Sequence, residues 1–214
     1  MTDPTPKRWT FRLAVALVAV AFVVAAAFGW WRLWGASLQA ASRAGSESTA
    51  YLDSCKLDSG FNGADAHAVA DDVTIGVLTL PGSSTAWPIR SGVSDAALDG
   101  GVGWYQQTAA PGDVGNMAVV GQRVSGGAFN GILGLNAGDT ITLQTCTATY
   151  AYTLVTSPRD LTVQSDDDWV LGAVPGASGL MPTDTWLTLI ANQDVRPSPD
   201  RAVGFAKLTT TSAR

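Results

Sequence analysis

The chain has 214 residues, 46% of them hydrophobic and only 14% charged, with a formal net charge of −5. Beyond residue 71, seven basic residues stand against twelve Asp and no Glu; with no basic stripe, nucleic-acid binding has no electrostatic basis. One histidine and two cysteines, without CxxC or HxxxH spacing, leave metal ligation unsupported, and no cofactor is expected.

Residues 1–12 form a basic tail, carrying Lys7, Arg8 and Arg12. From Leu13 to Trp31 no residue is charged, and at about 1.5 Å per residue this run is roughly 28 Å long, close to a bilayer's hydrocarbon thickness. Trp30, Trp31 and Trp34 follow as an aromatic belt, so residues 13–34 are expected to be a signal anchor with the basic tail in the cytoplasm. The competing reading is a cleaved signal peptide, with Ala25, Ala26 and Ala27 as small residues for cleavage. An apolar region of that kind is about 7–15 residues long, and this run is longer. Either way the remainder is exported, giving a single-pass protein of the cell membrane with an extracytoplasmic C-terminal domain.

Residues 35–71 are rich in Ala, Ser, Gly and Asp and read as an extracytoplasmic stalk, whose first turns (36–44) extend the anchor helix. Two exported cysteines, Cys55 and Cys146, read by default as one disulfide joining stalk to domain; two free thiols are the alternative.

The character changes at residue 72, and about 140 residues suffice for one domain with a core. Val73–Leu80 reads as a strand stopped by Pro81-Gly82, and Trp87–Ile89 as a second short one. Ser94 caps a helical turn over Asp95–Leu98. Asn116–Gly121 is a strand and Phe129–Leu135 a short helical segment. Thr140–Thr145 and Tyr150–Val155 form a hairpin with Cys146–Thr149 at its tip, and Trp186–Ala191 and Ala202–Leu208 are the last strands. Many short strands without a βαβ rhythm give a mainly β fold, a closed or nearly closed barrel or a sandwich. Residues 209–214 are a C-terminal tail.

Catalytic sets are scarce. His67, the one histidine, lies in the stalk and reads as solvent-exposed. Asp166-Asp167-Asp168 lacks the alternating spacing of a calcium loop and reads as a solvated turn.

The stretches Gly92-Val93-Ser94-Asp95, Gly101-Val102-Gly103-Trp104-Tyr105 and Ala110-Pro111-Gly112-Asp113-Val114-Gly115-Asn116-Met117-Ala118-Val119-Val120-Gly121 resemble a sortase, most closely the class E enzymes of actinobacteria. Gly126-Gly127-Ala128-Phe129-Asn130, Leu135-Asn136-Ala137-Gly138-Asp139, Leu187-Thr188-Leu189 and Arg201 continue the resemblance in order, over about residues 73–208. It implies an eight-stranded β-barrel over residues 72–208, with short helices, behind a signal anchor. It also implies a transpeptidase site built on a histidine, a cysteine nucleophile and an arginine.

The chain departs from that pattern at two of the three positions. Gln122 stands at the histidine position and Asn192 at the cysteine position, while Arg201 is kept. An amide is not a nucleophile comparable to a thiolate, and it does not relay a proton as imidazole does. Gln122, Asn192 and Arg201 remain able to hydrogen-bond a carbonyl or carboxylate. The expectation is therefore an inactive sortase-like module that binds a secreted or membrane protein. The alternatives are a cysteine-independent transpeptidase or hydrolase, and a structural subunit of a membrane complex.

Overall fold

The computed structural model describes residues 7–56, 67–177, 179–194 and 198–214. They divide into two units, residues 1–39 and residues 40–214.

Helix α1 runs from Lys7 to Ser54. In the first unit its described side chains include those of residues 15–31, among which Leu17, Val18, Phe22 and Val23 expose about two thirds or more of their surface. Among the described residues no helix is long and apolar enough to cross a membrane. The anchor expected over residues 13–34 lies partly outside the described side chains.

The second unit is the barrel with the last turns of α1 packed on it. Its strands are β1 (Thr74–Thr79), β2 (Ala86–Ser91), β3 (Val102–Trp104), β4 (Gly115–Gly121), β5 (Thr140–Gln144), β6 (Ala148–Thr156), β7 (Thr162–Gln164), β8 (Thr185–Asn192) and β9 (Asp200–Ala213). Eight of them run β6-β5-β1-β2-β3-β4-β8-β9, and a β6–β9 pairing closes the ring. Closure removes the free sheet edges that an open sheet would leave. Strand β7 lies outside the ring and pairs only with the start of β9. The turn α2 (Asp95–Leu98) is capped by Ser94, whose hydroxyl accepts from the Ala97 N–H, as a capping serine should.

Strands β4 and β8 are buried on both faces, and that two-sidedness builds the site region. Met117, Val119, Leu187, Leu189 and Ala191 point into the main core with Trp104, Phe129 and Tyr152. Ala118, Val120 and Ile190 alternate outward and join Val203 and Phe205 in a second apolar cluster. Val163 and the 3-10 turn Asp168–Leu171 cover that cluster from outside. The cover is fastened by a buried polar set. The Asn116 amide donates to the Val170 and Gly172 carbonyls at 3.0 and 2.9 Å, and its oxygen accepts from the Thr188 hydroxyl at 2.6 Å.

Three sequence expectations change here. Residues 35–71 do not form a solvated stalk throughout, because α1 continues to Ser54 and docks on the barrel. Ala44 and Ser48 are fully buried, one turn apart on one face. Ser48 donates to the Ala86 carbonyl, and the Tyr51 hydroxyl to the Ile75 carbonyl, each at 2.9 Å. Small residues that looked like spacer are what let the helix approach the sheet closely. The expected tail 209–214 is instead strand as far as Ala213, paired with β6, since its β-branched threonines suit a ladder. Strands β3 and β7, three residues each, escaped the sequence reading. The disulfide expectation is met: Cys55 and Cys146 are bonded, the latter in the β5–β6 turn.

Candidate functional site

The topology brings positions 122, 192 and 201 to one end of the barrel. Strands β4 and β8 run parallel with Val120 opposite Ile190, so residues 122 and 192 continue the same register just past the ladder. Across the antiparallel β8–β9 ladder, Asn192 faces Arg201. Gln122 is half-buried and Asn192 exposed. Neither side-chain amide has a hydrogen-bond partner among the described residues, whereas the Gln122 main-chain carbonyl accepts from the Phe129 N–H at 3.1 Å. Phe129 lies flat against Gly121, where a Cβ would come within 2.6 Å of its ring. Only glycine ends β4 without pushing that ring away.

Arg201 is half-buried and its Nη1 donates to the Ser198 and Asp200 carbonyls at 2.8 and 3.0 Å. The Asp200 carboxylate does not pair with it and instead accepts from the Gln164 amide at 2.7 Å. Arg201 also borders a small cleft of about 70 Å³ with Tyr105, Val120, Gln164, Asp168 and Ile190. Burial raises the Tyr105 phenol above its ordinary value, and the nearby Arg201 charge opposes that rise. The Tyr105 hydroxyl therefore stays protonated, as a neutral donor.

Arg123 was not singled out from the sequence. Its Nε and Nη2 donate to the Asn192 and Gln193 carbonyls at 2.8 and 2.5 Å. The guanidinium fork thus ties the end of β4 to the end of β8 and fixes the spacing of 122 and 192. Nothing but its position beside Gln122 signalled this. Tyr105 and Asn116 lie in stretches that carry the resemblance, but the partners of Asn116, 54 or more residues away along the chain, gave no sequence signal.

The remaining candidates fall elsewhere. His67 is exposed as expected, yet it is anchored: its Nδ1 lies 2.6 Å from the Gln106 carbonyl, and its ring centroid 5.7 Å from that of Trp104. Cys146 is at the hairpin tip in the disulfide, outside the 122–192–201 region. Asp167 caps its own turn by accepting from the Gln164 N–H. Among the described residues no cluster of His, Cys, Asp and Glu has the makings of a metal site.

Gln122 and Asn192 carry amides, which both donate and accept hydrogen bonds, and Arg201 carries a guanidinium, which donates.

Residues 78–209 match the family model described as Sortase domain. Among solved structures, the chain is similar to the SrtA sortase from Actinomyces oris, with 26% identity and a TM-score of 0.62 over 68% of this chain and 84% of that one. It is similar to sortase E from Streptomyces avermitilis, with 29% identity and a TM-score of 0.57 over 65% and 90%. It is also similar to sortase E1 from Streptomyces coelicolor, solved with a tripeptide in the active site, with 27% identity and a TM-score of 0.58 over 66% and 91%. No match is found among curated proteins.

Proposed function

The chain belongs to the sortase family, and from that premise we propose that it is a catalytically inactive, membrane-anchored member, most like class E, that acts by binding a secreted or membrane protein. One observation carries the reading: the two positions where the family's chemistry needs a nucleophile and a proton carrier hold the amides of Gln122 and Asn192. The frame around them supports binding, with Arg201 kept opposite Asn192 and Arg123 fixing the strand ends.

The cleft beside Arg201, about 70 Å³, is far below the roughly 300–1,000 Å³ of ordinary ligand pockets. A partner therefore engages the exposed rim, at Asn192 and Gln122, unless the 163–171 cover moves.

The anchor reading places residues 13–34 in the cell membrane, with residues 1–12 cytoplasmic and the barrel extracytoplasmic. Nineteen uncharged residues in a row support it, as do the exposed apolar side chains of residues 15–31 and the basic residues before them. The Cys55–Cys146 disulfide fits an oxidising compartment.

The test is capture from membranes by the full chain in detergent, alongside Asn192→Arg and Arg201→Ala variants. A surface or membrane protein that is captured by the parent chain and lost with both variants supports the reading. Capture unchanged by both places the contact outside this site, as a purely structural subunit of a membrane complex would.

A further inference from the structure

Two asparagines precede a glycine in this chain, Asn62 and Asn130, and only Asn130 is among the described residues. It lies in the loop after β4 and is exposed, as is Gly131. Its side-chain amide has no hydrogen-bond partner among the described residues, and the Gly131 N–H donates to no carbonyl there. Glycine has no Cβ to shield its nitrogen, and the space beside Gly131 is open, since a Cβ built there would meet nothing within 4 Å.

The other described asparagines lack this combination. Asn116 is buried, and both ends of its amide are bonded. Asn136 donates to the Gly134 carbonyl and accepts from the Arg159 guanidinium, and an alanine follows it. Asn192 is exposed, but the next main-chain nitrogen, at Gln193, already donates to the Asp200 carbonyl at 3.0 Å.

We propose that Asn130 is a site of spontaneous deamidation, and that its isoaspartyl product loosens the loop that holds the end of β4.

The reaction needs only the chain and water. The Gly131 nitrogen attacks Asn130 Cγ. The N–Cγ bond forms as the Cγ–Nδ2 bond breaks, and Nδ2 leaves as ammonia with the proton of the Gly131 N–H. Water then opens the cyclic imide. Hydrolysis at Cγ gives aspartate; hydrolysis at the Asn130 main-chain carbonyl carbon gives isoaspartate, in which the chain runs on through Cβ and Cγ. Either product puts a carboxylate where an amide stood, and no residue between Arg123 and Asp139 is otherwise charged.

Isoaspartate also adds one carbon to the main chain. The addition falls between two turn bonds, from the Asn130 N–H to the Gly127 carbonyl at 3.2 Å and from the Ile132 N–H to the Phe129 carbonyl at 3.1 Å. Phe129 and Ile132 are fully buried, so swinging either side chain out to make room would expose apolar surface. The turn must give instead. Its loosening reaches the end of β4 through the Phe129 N–H, which bonds the Gln122 carbonyl. The proposal does not depend on what the 122–192–201 region binds.

The test is peptide mapping of the full chain after storage in detergent at weakly alkaline pH, with fragment spectra that locate each conversion and separate aspartate from isoaspartate. Conversion is expected at Asn130, with isoaspartate in excess, and none over the same time at Asn116, Asn136 or Asn192. Gly131 has φ −95° and ψ 6°, a backbone open to any residue, so Gly131→Ala keeps the loop. Its methyl group crowds the attacking nitrogen and should slow conversion by about tenfold. An Asn130 that stays intact in the folded chain while converting in urea overturns the proposal, as does an equal rate in Gly131→Ala or equal conversion at Asn136. The isoaspartyl fraction, separated from the parent, should show faster amide exchange at Phe129 and Ile132. Unchanged exchange there would overturn the effect on the loop.

Discussion

Asn192 and Arg201 face each other across β8 and β9, and the Arg123 guanidinium holds the main chain of Asn192 from the neighbouring strand end. The ends of β4 and β8 are thus tied through main-chain carbonyls, without the side chains of Gln122 and Asn192.

Arg123→Ala removes both donors to the ends of β8. The pair is partly exposed, so the expected loss of stability is small, about 1 kcal/mol. The local effect should be larger: amide exchange at residues 192–194 is expected to quicken while that of the β1–β2 ladder is unchanged. Equal acceleration in both places would mean that Arg123 acts on the whole fold.

Asn116→Ala strips the cover of its fastening. The Val170 and Gly172 carbonyls and the Thr188 hydroxyl each lose their partner, and unpaired buried groups cost about 1–3 kcal/mol each when no water reaches them. A drop in thermal midpoint of several degrees is expected, together with faster proteolysis within 160–175. Thr188→Val, which removes only one of the three bonds, should be milder.

Replacing Cys55 and Cys146 together by serine releases the end of α1 from the β5–β6 turn. The two cysteines are 91 residues apart in sequence, and a loop of that order is worth about 2–5 kcal/mol. Denaturant unfolding should register a loss in that range. The Glu47–Arg90 ion pair and the Tyr51 hydrogen bond should keep the helix docked in the folded state. Loss of Tyr51 protection in the native double variant would show that the disulfide alone holds it.

Burial pushes the Tyr51 hydroxyl up to about 12. An unfolded tyrosine loses its proton near pH 10, so between about pH 10 and 12 the folded chain retains a proton that the unfolded chain has released. Stability is therefore complete below pH 10 and falls as pH rises through 12. Tyr105, Tyr150 and Tyr152 are raised by burial too and add to the slope. Tyr51→Phe should flatten the slope without abolishing it, at the loss of the bond to Ile75. Urea midpoints across that window check this; parallel curves for the two proteins would contradict it.

The hydrophobic and turn patterns made the long strands legible, because β1, β4, β5, β6 and β8 each hold a run of apolar and β-branched residues. The placement of residue 122 just after β4 and of residue 192 at the end of β8 followed from the same strand patterns. Strands β3 and β7 were not, because three residues are too few to show a period and their pairing is set entirely by neighbours. Docking of α1 through Ala44 and Ser48 was hidden as well. Small residues carry no hydrophobic signal, and their use here is to let two backbones approach. Arg123 and Asn116 act on main-chain carbonyls, which leave no mark in a sequence.

The central claim is that the barrel does no acyl-transfer chemistry at 122 and 192. Its most direct test is mass spectrometry of the full chain after incubation with a peptide carrying a sortase sorting motif, beside an Asn192→Cys, Gln122→His variant. The unaltered chain should show neither peptide cleavage nor an adduct on the protein. Cleavage or an adduct with the unaltered chain, abolished by Asn192→Ala, would contradict it.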